Sequence, residues 1–159
     1  MKTAIVYYSM SGNTRYAAER IAQTIGADLI PLVPTKAYPD SGFKKFFWGG
    51  KSALMGDKPA LEPYAFDPNA YDLVILGTPV WAGTIAPPLR TFIVENAASL
   101  RDKKVAVFAC CSGGPGKVME KAKDVLRVES LAAELILVDP KDKPTSETDQ
   151  SIAAFCDRL

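Results

Sequence analysis

Apolar residues recur along this chain in two alternating rhythms: short β-branched and aromatic runs, and longer stretches in which they return every three or four positions. The first run, Ala4-Ile5-Val6-Tyr7-Tyr8, reads as a buried parallel strand. From Thr14 the period lengthens. Ala17, Ala18, Ile21 and Ile25 share one side of a helix, with Arg15, Glu19, Arg20 and Gln23 on the other. Gly26 suits its C-cap, and Leu29-Ile30-Pro31-Leu32-Val33 follows as a second strand, placed at a sheet edge by its proline. Residues 34–70 break the rhythm with prolines, glycines and an aromatic cluster at Phe43, Phe46, Phe47 and Trp48. A loop of that length in a compact domain is usually functional. Leu73-Val74-Ile75-Leu76 is the third strand, and Pro87-Pro88 opens a helix whose inner face is Leu89, Phe92 and Ile93, with Val94 at its margin. Residues 105–109 form a fourth strand, Val118, Ala122, Val125 and Leu126 the inner face of another helix, and residues 134–138 a fifth strand; a helix over 146–158 closes the pattern.

Five strands alternating with helices predict an α/β three-layer sandwich, with one five-stranded parallel sheet covered on both faces. At 159 residues the chain fits a single domain, 1–159, carrying a long loop insertion at about 34–70. Ligands of such sheets lie beyond the carboxyl ends of the strands. Three loops leave those ends, at residues 9–14, 78–84 and 110–116, and are expected to converge on one crevice.

The first loop, Ser9-Met10-Ser11-Gly12-Asn13-Thr14, joins a strand to a helix start, where free N–H groups and the helix dipole favour an anion. Its hydroxyl and amide side chains add hydrogen bonds, and four polar side chains in six residues exceed what one helix cap by Ser11 or Asn13 requires. It lacks the Gly-Lys-Ser or Gly-Lys-Thr ending of a triphosphate loop and the spaced glycines of the dinucleotide fingerprint. A neutral cradle of this kind matches a monoester phosphate.

Composition removes whole classes of function. With no histidine, Ser-His, Cys-His and imidazole-metal chemistry are absent, and no catalytic residue or metal ligand is expected. A net charge of +1 points to neither nucleic acid nor a membrane surface, and no apolar run approaches the length of a membrane span. Three cysteines, two of them adjacent, make no disulfide framework, which suits a cytoplasmic protein. Cys111 and Lys117 stand at the spacing of a phosphatase Cys-x5-Arg loop, but with lysine for arginine and after the fourth strand rather than the first. Cys110-Cys111 as a redox dithiol would need a strained disulfide between neighbours. A phosphorelay receiver would need acidic residues after the first strand, where Tyr7-Tyr8-Ser9 stand.

With all three loops in view, the chain resembles the flavodoxin superfamily over essentially its whole length. Ser9, Ser11, Gly12 and Thr14 match that family's hydroxyl-x-hydroxyl-Gly-x-Thr phosphate loop. Gly77-Thr78-Pro79-Val80-Trp81-Ala82-Gly83 resembles its strand-three loop and Ser112-Gly113-Gly114 its strand-four loop. The resemblance implies strand order 2-1-3-4-5 and FMN as cofactor. Ser9, Met10, Ser11, Gly12, Asn13 and Thr14 would then meet the phosphate; Thr78, Pro79, Val80, Trp81, Ala82 and Gly83 would lie beside the isoalloxazine, and Cys111, Ser112, Gly113 and Gly114 on its pyrimidine side. Trp81 suits an aromatic contact because it stands in a Gly- and Pro-containing turn, the plainer role being a core tryptophan.

The implied function is an electron carrier passing low-potential electrons to redox partner proteins or small-molecule acceptors, as a monomer or weak dimer. Typical members are strongly acidic, whereas this chain is near neutral, and its strand-three loop looks more like flavodoxin-like proteins found beside NAD(P)H-dependent flavin reductases. An FMN-dependent NAD(P)H or quinone reductase is therefore the alternative, and a flavin-binding module without turnover a third. Residues 43–60 resemble an insertion of that broader group, expected to cover the flavin, meet a partner or pack on the domain's own surface.

Overall fold

The computed structural model describes residues 1–39 and 49–159, so Phe43, Phe46, Phe47 and Trp48 lie outside the described residues. Its elements are β1 (Thr3–Tyr7), α1 (Asn13–Ile25), β2 (Asp28–Pro31), a helix α2 whose described residues are 49–54, β3 (Leu73–Trp81), β4 (Thr84–Ile85), α3 (Pro87–Glu95), α4 (Ala97–Arg101), β5 (Lys104–Cys111), α5 (Val118–Leu126), β6 (Glu134–Val138) and α6 (Ser146–Cys156). The parallel sheet runs β2-β1-β3-β5-β6, with β4 attached to β3 as a hairpin arm. Apart from β4, this is the 2-1-3-4-5 order. Pro31 sits on the edge strand β2, as its missing N–H requires.

Alternation along the strands sorts the core into two layers. Val6, Leu76, Val107 and Ala109 face α3 and α5, where Leu89, Phe92, Ile93, Val118 and Ala122 are buried, while Val94 turns to the surface instead of joining that inner face. Ile5, Ile75 and Phe108 face α1 and α6, against Ala17, Ala18, Ile21, Ile152 and Phe155. Gly77 of β3 pairs with Tyr7 and Phe108, and the Phe108 ring lies across it: a Cβ at Gly77 would stand 2.2 Å from the ring.

Three features depart from the sequence reading. Residues 78–81 are strand rather than loop, because β3 outruns β1 beyond Gly77 and keeps pairing with β5 through Pro79. Past that point one side of β3 is an edge, where a proline costs no ladder bond. β3 then reverses through Ala82-Gly83 into β4, a two-residue turn with both residues at positive φ, +51° and +72°. Cys110 and Cys111 likewise belong to β5, buried and paired with Leu137 and Val138 of β6. In the long insertion, α2, an antiparallel bridge between Pro34 and Leu61, and a 3-10 turn at Pro68–Ala70 replace an unstructured loop.

Candidate functional site

The carboxyl ends of β1, β3 and β5 open on a crevice of about 370 Å³, within the range of small-ligand sites. Its walls come from the three expected loops. Met10, Ser11, Asn13 and Thr14 form one side, Pro79, Val80, Trp81, Ala82 and Gly83 the second, and Cys111, Ser112, Gly113 and Gly114 the third. Cys110 and Gly50 complete the lining. Ser9, Gly12 and Thr78 are not in the wall. Thr78 is fully buried; its Oγ1 accepts from the Ala86 N–H at 2.9 Å and donates to the Pro79 carbonyl at 2.8 Å, locking the hairpin root.

The first loop divides its labour. Gly12, at φ +99°, forms the N-cap of α1, a conformation that favours glycine, and offers no capping side chain. The cap comes from outside the helix, with Ser9 Oγ accepting from the Arg15 N–H at 3.1 Å. That leaves the hydroxyl of Ser11 exposed at the crevice and the first N–H groups of α1 without intrahelical acceptors. Asn13 works sideways. Its Oδ1 accepts from the Lys141 N–H at 2.9 Å and its Nδ2 donates to Asp142 at 3.0 Å, pinning the loop to the turn after β6.

The same turn carries two residues that no local motif announces. The Lys141 side chain lies over Gly12, with Nζ 3.0 Å from where a Cβ would stand. The cradle is therefore not neutral, as its own six residues suggest, because a cation arrives from a distant part of the chain. Asp139, at φ +42°, accepts from Ser112 Oγ at 2.6 Å and faces Lys143 at 3.4 Å. The Ser112 hydrogen bond, more than the Lys143 ammonium, holds its carboxyl below the usual carboxylate range.

On the opposite wall Trp81 is half-buried and boxed edge-on by Tyr8 and Tyr38, at centroid distances of 5.6 and 5.0 Å. α2 seats on it: a Cβ at Gly49 would stand 3.3 Å from the indole. The tryptophan is thus a core contact on one side and crevice wall on the other. Across from it none of the described residues lies within 4 Å of the Cβ positions of Gly113 and Gly114, leaving room above that backbone.

The cysteines are poor nucleophiles. Burial pushes the Cys110 thiol up to about 12, only partly offset by a hydrogen bond with Thr14, and burial also raises Cys111. A reactive thiol needs the reverse shift. Iodoacetamide at neutral pH should leave both thiols unmodified in the native protein and label both after denaturation, as read by mass spectrometry. Rapid native labelling of Cys111 would contradict this assignment. Among the described residues no group of acidic, cysteine or histidine side chains could hold a metal ion, and no helix is long and apolar enough to cross a membrane.

The loops after three neighbouring strands of the sheet, β1, β3 and β5, surround one crevice, the arrangement of a doubly wound α/β protein with its ligand site beyond the carboxyl ends of the strands. The chain belongs to the flavodoxin family, whose model matches residues 2–158. It is similar to a flavoprotein from Lactobacillus acidophilus solved in complex with FMN, at 26% identity and TM-score 0.71, covering 94% of this chain and 97% of that one. The apo-form of that flavoprotein matches at 26% identity and TM-score 0.63, covering 91% and 97%. Two-electron reduced flavodoxin from Megasphaera elsdenii shares the fold at 18% identity and TM-score 0.60, covering 98% and 99%.

Proposed function

We propose that the crevice binds FMN and that the protein is a cytoplasmic electron carrier serving redox partner proteins or small-molecule acceptors. One observation carries the reading: the crevice combines an anion cradle, with Lys141 over it, with apolar and aromatic walls, while among the described residues its lining itself includes no acidic or basic side chain and its cysteines are raised, unreactive thiols. The protein would bind and orient, while the reacting electrons come from the flavin, which exchanges them one or two at a time when bound.

The residues present fit that cofactor. Ser11 and the N–H groups at the start of α1 face an oxyanion, and Lys141 adds a cation beside Gly12. Gly113 and Gly114 leave room for a ring to approach the backbone, and Trp81 closes the far wall. Tyr8 and Tyr38 keep the indole in place. Ser112, tied to Asp139, fixes the third loop.

A net charge of +1 favours a second reading, an FMN-dependent NAD(P)H or quinone reductase, because a neutral surface provides little steering toward basic partner proteins. Visible spectra of the FMN-loaded protein during stepwise reduction, followed by addition of NADH or NADPH with a quinone, separate the two. A carrier should show two resolved one-electron steps and negligible oxidation of the pyridine nucleotide. Rapid NAD(P)H consumption would replace the carrier with the reductase, and a protein that takes up no FMN would end both readings.

A further inference from the structure

The Ala82-Gly83 turn borders a second cleft, of about 390 Å³, set between α2 and the starts of α3 and α5. Arg90, Lys117 and Lys121 line it, with Ala53 and Leu54 as an apolar wall and Thr84 beneath. Among the described residues its lining includes no acidic side chain, and none of the three cations has an ion-pair partner. In a chain whose net charge is only +1, three unpaired cations around one concavity are a local concentration.

Two of its groups are also incomplete. Arg90 Nε and Thr84 Oγ1 are both fully buried and have no hydrogen-bond partner among the described residues. Buried polar atoms are normally paired, and a guanidinium donor left without an acceptor is among the most unfavourable exceptions. Desolvation lowers the Arg90 pKa, yet an arginine remains charged at neutral pH. The cleft is also wired to the crevice: the Lys117 N–H donates to the Gly83 carbonyl at 3.0 Å, and Gly83 and Ala82 line both spaces.

We propose that this cleft is an anion subsite, holding the phosphate or carboxylate group of a small redox-active molecule whose remaining part reaches the cofactor crevice past the Ala82-Gly83 turn. Arg90 matches the two oxygens of either group, Lys117 and Lys121 add point charges, and Thr84 offers a hydroxyl. Ala53 and Leu54 suit the carbon skeleton beside the charge. Three cations gathered around one open concavity fit one anionic group on a small molecule better than the extended charge track that a nucleic acid demands. The inference rests on the reading of the crevice as a flavin site.

The test uses uniformly 15N-labelled protein, loaded with FMN and checked by its visible spectrum before any anion is added. Inorganic pyrophosphate is titrated in one arm and succinate in the other, followed by NMR. Saturable shifts should appear at the amides of Gly83, Gly116 and Lys117 and at Arg90 Nε–H in at least one arm, and the stronger arm identifies the group. K121Q and R90Q should each weaken that binding about tenfold. Lys121 is exposed, so K121Q keeps the test valid should R90Q fail to fold. Absence of saturable shifts in both arms, shifts only elsewhere, or parental affinity in K121Q would overturn the subsite. Failure to load FMN shows first, in the spectrum, and counts against the flavin reading instead.

Discussion

Gly77→Ala should destabilise the fold by about 3 kcal/mol, near the upper end of what overpacking a core costs. The new methyl carbon would stand 2.2, 2.6 and 2.9 Å from three carbons of the Phe108 ring. Phe108 is fully buried between β5 and the α1 and α6 layer, so the ring has nowhere to retreat. For a domain of this size the loss corresponds to a melting temperature lower by about 6–12 °C. Thermal and urea unfolding of Gly77→Ala, Phe108→Leu and the double variant check the cause. The smaller side chain should recover much of the loss in the Gly77→Ala background, a coupling that independent sites do not show. A single variant that melts with the parent would mean that the ring does not lie across the strand.

Gly116→Ala should act on the crevice rather than on the core. Its Cβ would stand 2.5 Å from the Gly83 Cα and 3.2 Å from the Gly83 carbonyl oxygen, backbone against backbone, with no side-chain rotation able to relieve it. Either the loop before α5 or the β3-β4 hairpin must move, and the hydrogen bond from Lys117 to Gly83 goes with it. Because Trp81, Ala82 and Gly83 form one wall of the crevice, FMN affinity should fall about tenfold to a hundredfold, the scale on which ångström misplacements are felt. Gly116 also sits at φ +53°, which alone disfavours alanine. Gly26→Ala separates the two effects: it shares the positive φ, at +70°, but has nothing within 4 Å of its Cβ and lies at the far end of α1. It should lower stability by about 1 kcal/mol and leave FMN affinity unchanged. Equal affinity losses in the two variants, measured by quenching of flavin fluorescence, would assign the effect to strain instead of to the clash.

The strands and their faces were legible because burial on both sides leaves a nearly unbroken apolar run, as in Leu73-Val74-Ile75-Leu76, and helices show their inner residues by spacing. The convergence of three loops followed from the rule that places ligands beyond the carboxyl ends of the strands. The hairpin did not. A two-residue arm is too short for any period, and its turn uses Ala82 at positive φ where Asn-Gly or Gly-Gly would have announced it. α4, of five residues, is equally below the length at which periodicity can be read. The roles of Ser9 and Thr78 as internal hydrogen-bond acceptors were hidden because a hydroxyl in a loop looks the same whether it faces a ligand or the backbone. Lys141 and Asp139 were invisible for another reason. They reach the first and third loops only because β6 lies beside β5 and ends at the same level, so their relevance is a property of the sheet and not of any segment.

The bond between Asn13 and Asp142 spans 129 positions, and it gives the protein a birth order. At ordinary rates of translation, roughly ten seconds separate the appearance of the two residues at the ribosome. During that interval β1 and the loop after it exist without Lys141 above them. The clamp on the first loop therefore closes only after the last strand of the sheet has been made, and the first loop is the last part of the crevice to be fixed in place.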